Sequence, residues 1–194
     1  MEIKSINAIN NQKFGMAKFD NPQIIAKLTK EVPKEDALAI IQAVPKSGCK
    51  NTSIVKVATT PGYYYYDNHV IDHVTIAFPN HFCTRRVPVK YSHNLPDGDD
   101  FTSQIVEGEK ALAEQILYIE AQKGNLEKTK AELIEDLPEL KDYILKYSDN
   151  PGLADINGNA LQIAKAREAY KKAREAYKKA HPFLSIFHIP KNIS

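Results

Sequence analysis

Tryptophan is absent from this chain of 194 residues, cysteine and methionine occur twice each, and glycine eight times. Two cysteines cannot build a disulfide framework, and no Cys-x-x-Cys pair marks a redox couple or zinc ribbon. Glycine this sparse excludes collagen-like repeats, and a hydrophobic fraction of 43% excludes wholesale disorder. The longest run free of Asp, Glu, Lys and Arg extends from His73 to Thr84. That falls well short of the ~20 apolar residues of a membrane-spanning helix, so no membrane partner is expected. No apolar h-region follows Met1, which makes a reducing cytoplasm the expected compartment. Phosphate-binding Gly-x-x-x-x-Gly-Lys-Ser/Thr and Gly-x-Gly-x-x-Gly loops, a Gly-x-Ser-x-Gly nucleophile elbow and a His-Glu-x-x-His zinc helix are all missing. No cofactor is implied, and catalysis is not the leading expectation.

Charge is abundant but uneven. The total is +2, yet residues 1–96 carry twelve Lys/Arg against seven Asp/Glu, residues 97–150 six against fourteen, and residues 151–194 eight against three. An acidic middle between two basic flanks fits elements that face each other within one fold, or a basic face for an acidic partner.

The pattern of apolar residues predicts a single α+β domain over 1–194, with 1–13 a loose polar leader and 181–194 an apolar tail. An extended piece at Lys13 to Phe19, a candidate edge strand, leads to an N-cap and proline at Asp20-Asn21-Pro22, then a helix on Ile24, Ile25 and Leu28. A second helix follows from Lys34 to Val44. From Ser53 the apolar period drops to two, which predicts a three-stranded antiparallel β-meander over about 53–91 with turns at Asp67-Asn68 and Pro79-Asn80. Within it Val70, Val74, Ile76 and Phe78 should share one face, and His69, Ile71, His73 and Thr75 the other. Asp72 breaks that pattern. Two helices then form an αα-hairpin over about 101–147, joined at Gly124. Pro138 should interrupt the second of them, with Asp136 as a new cap.

Asp149-Asn150-Pro151-Gly152 reads as a decisive break before a long C-terminal helix over about 159–180. That helix contains Ala-Arg-Glu-Ala-Tyr-Lys-Lys twice, at 166–172 and 173–179. The seven-residue unit sets Ala166, Tyr170, Ala173, Tyr177 and Ala180 along one narrow stripe. Glu168–Lys172 and Glu175–Lys179 are i,i+4 pairs in the favourable order. Asp155-Ile156-Asn157-Gly158-Asn159 imitates the opening of a calcium loop. Ala160 and Ala166 stand where that loop needs glycine and glutamate, so a helix cap is the expected role.

Three groups of residues could carry function. His69, His73, His81 and Cys83, with His93 nearby, are a concentration of metal-ligating or nucleophilic side chains. His69 and His73 would sit ~13 Å apart on one strand, too far to share an ion, so convergence depends on neighbouring strands. Tyr63, Tyr64, Tyr65 and Tyr66, combined with Arg86 and Lys90, would make an aromatic and basic sheet surface. That is chemistry suited to stacking single-stranded nucleic acid or to a protein interface. Tyr170 and Tyr177 mark the helical stripe. The expected function is a non-catalytic protein-interaction or assembly module, with a protein partner or self-association. The alternative is nucleic-acid binding on the Tyr-rich sheet face, and the second alternative a Cys/His enzyme or metal site.

Overall fold

The computed structural model describes residues 17–61, 69–88 and 98–180. Two of the apolar segments expected to be helical begin the fold. Within Asp20-Asn21-Pro22, Asn21 is the N-cap of α1 (Pro22–Glu31): its side chain accepts from the Gln23 N–H at 2.8 Å, and Pro22 fills the first turn. Helix α2 (Lys34–Ala43) ends in a 3₁₀ turn at Val44–Lys46.

The sheet has four strands, ordered β1 (Lys18–Phe19), β2 (Ser53–Pro61), β3 (His69–Ala77) and β4 (Thr84–Pro88). The last three form the antiparallel meander. The expected three-stranded sheet becomes four-stranded through β1, the candidate edge strand, which pairs in parallel with Lys18 opposite Ser53 and Phe19 opposite Ile54. The tail end of the extended Lys13 to Phe19 piece supplies it.

Two register shifts explain why strict alternation fails. Ile54 pairs with Ile76 and Lys56 with Thr75, which leaves Val55 as an extra residue on β2. Ala58 pairs with His73 and Thr59 with Ile71, which leaves Asp72 as an extra residue on β3. Each bulge turns the following side chains over by one position. Ile71, expected on the outer face, therefore joins Val74 and Ile76 in the core, while Asp72 is exposed. The acid that breaks the pattern marks the bulge itself.

Ile54, Val57, Ile71, Val74, Ile76 and Val87 point into the core, whereas Lys56, Thr84, Arg86 and Pro88 are exposed. The helices are thus collected on one side of the sheet, as an α+β layer requires. Helix α3 (Gly98–Ala121) lies against β3 and β4, burying Ile105, Leu112, Ile116 and Leu117. It starts three residues before the expected Phe101. Gly124, at φ 79°, closes the tight turn to α4 (Leu126–Asp136). Pro138 does restart the chain, as a 3₁₀ turn at Pro138–Leu140 leading into α5 (Lys141–Ser148), but the cap is Leu137 rather than Asp136.

The expected break at Asp149–Gly152 is there, since α5 ends at Ser148, but it is short and a new helix opens within it. Asn150 accepts from the Gly152 N–H at 2.9 Å and Pro151 occupies the first turn of α6 (Pro151–Ala180), eight residues earlier than Asn159. The sequence Asn-Pro-Gly allows both outcomes, because the same cap that ends one helix begins the next. Asn157 does act as a cap, though not of its own helix: from within α6 it accepts from the Leu126 N–H at 3.1 Å, at the start of α4.

Candidate functional site

The expected cluster of His69, His73, His81 and Cys83 is divided by the sheet. His73 lies on β3, where its Nδ1 stands 2.8 Å from the Asp72 Oδ2 exposed by the bulge. His69 opens β3, and its side chain, like His93, lies outside the described residues. His81 and Cys83 follow the β3–β4 turn and line one cavity of about 290 Å³ with Ile116, Ile119, Glu120 and Glu132 from the α3–α4 hairpin. Among the described residues no three His, Cys, Asp or Glu side chains converge in a way that would hold a metal ion.

The turn that delivers these two residues is itself unusual. Asn80 takes φ 62°, a left-handed conformation that asparagine tolerates better than most residues. Phe82 is fully exposed between the inward-facing His81 and Cys83. His81 Nε2 is sealed from solvent and has no hydrogen-bond partner among the described residues. Burial pushes this imidazole below its ordinary pKa, against the opposing pull of Asp136, Glu132 and Glu120. Glu120 is held below the usual carboxylate range, chiefly by the Lys123 ammonium at 2.6 Å. A proton titration followed by NMR is expected to place His81 below an ordinary exposed histidine. Because the folded state prefers the neutral ring, stability from this site is present above the unfolded-state value near 6.5 and falls as pH drops through the lower folded-state value.

Of the surface residues expected to bind partners, Tyr63, Tyr64, Tyr65, Tyr66 and Lys90 lie outside the described residues. Arg86 is exposed on β4 and shares a cross-strand row with Thr75 and Lys56 on the open face of the sheet. Thr75, between them in that row, is buried.

Tyr170 and Tyr177 lie on the most distinctive element of the molecule. The first turns of α6 are anchored: Leu153 is buried, and Leu161 packs over the Gly124 turn. From Leu161 to Ala180 every residue is exposed. Twenty helical residues extend about 30 Å at ~1.5 Å each, so α6 leaves the body as an arm. No face of the arm is buried against the body among the described residues. Its seam is mostly alanine, which offers too little apolar area to hold it there. Local interactions sustain it instead: Ala, Lys, Arg and Glu are strong helix formers, and Lys172 meets Glu168 at 2.9 Å. The second repeat's pair, Glu175 and Lys179, does not close among the described residues.

One buried group was not singled out by the sequence reading. Glu109, in the middle of α3, is fully buried. Its Oε1 accepts from the Cys49 N–H at 2.7 Å and from the Thr52 hydroxyl, and its Oε2 accepts from the Cys49 thiol at 3.3 Å. Burial drives both the carboxyl and the Cys49 thiol above their ordinary pKa values. Position 109 falls four residues after Ile105 and three before Leu112, so helical phase alone would have placed this acid on the core side.

No family model, curated protein or solved structure matches the chain. Among the described residues, no helix is long and apolar enough to cross a membrane.

Proposed function

We propose that the chain is a protein-interaction and assembly module whose contact element is the C-terminal half of α6. The observation that carries this reading is the exposure of every residue from Leu161 to Ala180 on one continuous helix. That stretch includes Ile163 and Tyr170, which are 54% and 71% exposed. Large apolar and aromatic side chains on a rigid helix are the usual anchors of an interface, because few rotamers are lost when they are covered. The repeat places Tyr170 on the same side as the alanines, and Ile163, seven residues earlier, continues that side, so a partner meets a closely approachable face. Sedimentation velocity of the full chain is expected to show concentration-dependent self-association. Tyr170→Asp should weaken it by about tenfold or more, since a charge would be buried in the contact. Unchanged sedimentation in that variant would remove the arm from the interface.

A second reading concerns the open face of the sheet, where Lys56 and Arg86 flank Thr75 in one row. Two exposed cations across a strand triplet suit a phosphate backbone. Binding of a single-stranded oligonucleotide there would lose affinity steeply with added salt.

A further inference from the structure

We infer that the arm docks on the acidic helical layer of a second copy of this chain, on the strip formed by α3 and α5. This rests on the assembly reading above and adds what the arm binds. Between Leu161 and Ala180 there are seven Lys/Arg and two Glu. At ~100° per residue, Arg167, Lys171, Arg174 and Lys178 border one side of the alanine-tyrosine stripe, lysines border the other, and Glu168 and Glu175 occupy the back. The apolar stripe is therefore framed by positive charge.

The opposite chemistry lies on the body. Glu107, Glu114 and Tyr118 follow one another along one side of α3, and Tyr143 and Tyr147 stand one turn apart on α5. Contacts join the two rows. The Tyr143 hydroxyl donates to Glu114, which helps push that phenol up to about 12, and Lys110 Nζ lies 5.5 Å from the centre of the Tyr143 ring. Tyr118 is 45% exposed, and the negative charge of Glu114 also reaches Tyr147. Glu107 is paired with Lys110 at 2.6 Å and Glu114 accepts from Tyr143, so the strip offers aromatic surface for the alanine face and carboxylates that the arm's cations would share with these partners. It belongs to the span 97–150, in which fourteen acids oppose six bases.

The arm does not cover its own strip, because residues 161–180 are exposed throughout. A second molecule related by a twofold axis satisfies both surfaces at once: each arm lies on the other body, and the assembly closes. The strip runs about 17 Å from Glu107 to Tyr118, so two helical contacts about 10 Å wide bury on the order of 700 Å² together, the size of a weak, concentration-dependent dimer.

Charge-swap sedimentation of full-length chains tests this. Lys171→Glu with Arg174→Glu reverses the arm, and Glu107→Lys with Glu114→Lys reverses the strip. Unchanged far-UV circular dichroism would confirm folding, and Glu107→Lys alone serves if the Glu114 change unfolds α5. Each variant should self-associate at least about tenfold more weakly than the wild type, and an equimolar mixture of the two should recover the dimer, because both contacts then regain opposite charges. If the arm variant dissociates while the strip variant does not, the arm docks elsewhere: the inference is overturned and the assembly reading survives. A wild-type chain that stays monomeric at every concentration overturns both, as does an arm that binds only an oligonucleotide.

Discussion

Glu109→Ala is expected to lower the stability of the fold by about 3–5 kcal/mol in urea unfolding, the largest loss from any single polar substitution proposed here. The carboxylate accepts from the Cys49 N–H, the Cys49 thiol and the Thr52 hydroxyl, and alanine supplies none of these acceptors. Each stranded buried donor costs about 1–3 kcal/mol, and the vacated space adds a cavity term. The damage would spread because the 47–52 loop joins several elements. Ala17 N–H donates to Ser47 O at 3.1 Å, Lys18 N–H to Thr52 O at 2.9 Å, and the Asn51 amide to Asp136 O at 2.7 Å. Loosening Glu109 therefore frees strand β1 and the α4 end together.

Glu109→Gln separates hydrogen bonding from charge. Glutamine keeps one oxygen to accept from both the Cys49 N–H and the Thr52 hydroxyl, so at low pH its cost should be small. The folded protein holds the Glu109 proton more tightly than the unfolded chain does, because burial raises the carboxyl pKa. The stability it contributes is thus complete below the ordinary carboxylate value near 4.5 and is lost as pH rises through the higher folded-state value. Unfolding midpoints across that window should fall for the wild type and stay flatter for Glu109→Gln. Parallel curves would show that the carboxyl ionises without penalty in the fold.

How much of this could be read from the sequence differs by element, for physical reasons. The hairpin of α3 and α4 was legible because its apolar spacing follows one helical face and a glycine stands at the turn. The meander was legible in outline, with Val74, Ile76 and Phe78 on one buried face, but the facing of β2 and of the start of β3 was not. Backbone register decides it, and a bulge costs the sequence only a misplaced Asp72. The start of α6 was misplaced because Asn-Pro-Gly is as good an opening as an ending. The arm's exposure was hidden for a different reason: an alanine-tyrosine repeat has the period of a packed helix, and only the tertiary structure tells whether its stripe is buried. His81 and Cys83 are brought to one cavity and His73 is turned away, an outcome set by a β3–β4 turn that no spacing rule fixes.

Gly108 carries the second large expectation. A glycine in the middle of a 24-residue helix ordinarily weakens it by about 1 kcal/mol relative to alanine, so alanine would be expected to stabilise. Here α3 lies so close to the sheet that a Cβ at 108 would overlap Val87 Cγ2 and stand 3.4 Å from Ile76 Cδ1. Both neighbours belong to the core, with Ile76 fully buried and Val87 nearly so. Gly108→Leu must therefore push helix and sheet apart or force off-rotamer side chains, at a cost of about 3 kcal/mol. Gly108→Ala sets propensity against one methyl of overlap and should end mildly destabilising. Val87→Ala removes the methyl that obstructs it and alone leaves a small void costing about 1–2 kcal/mol. Combined, the two alanines should fill each other's space, so that the double variant is more stable than the sum of the single changes by about 1 kcal/mol or more. Strict additivity in that cycle would mean that Val87 does not set the distance between α3 and β4.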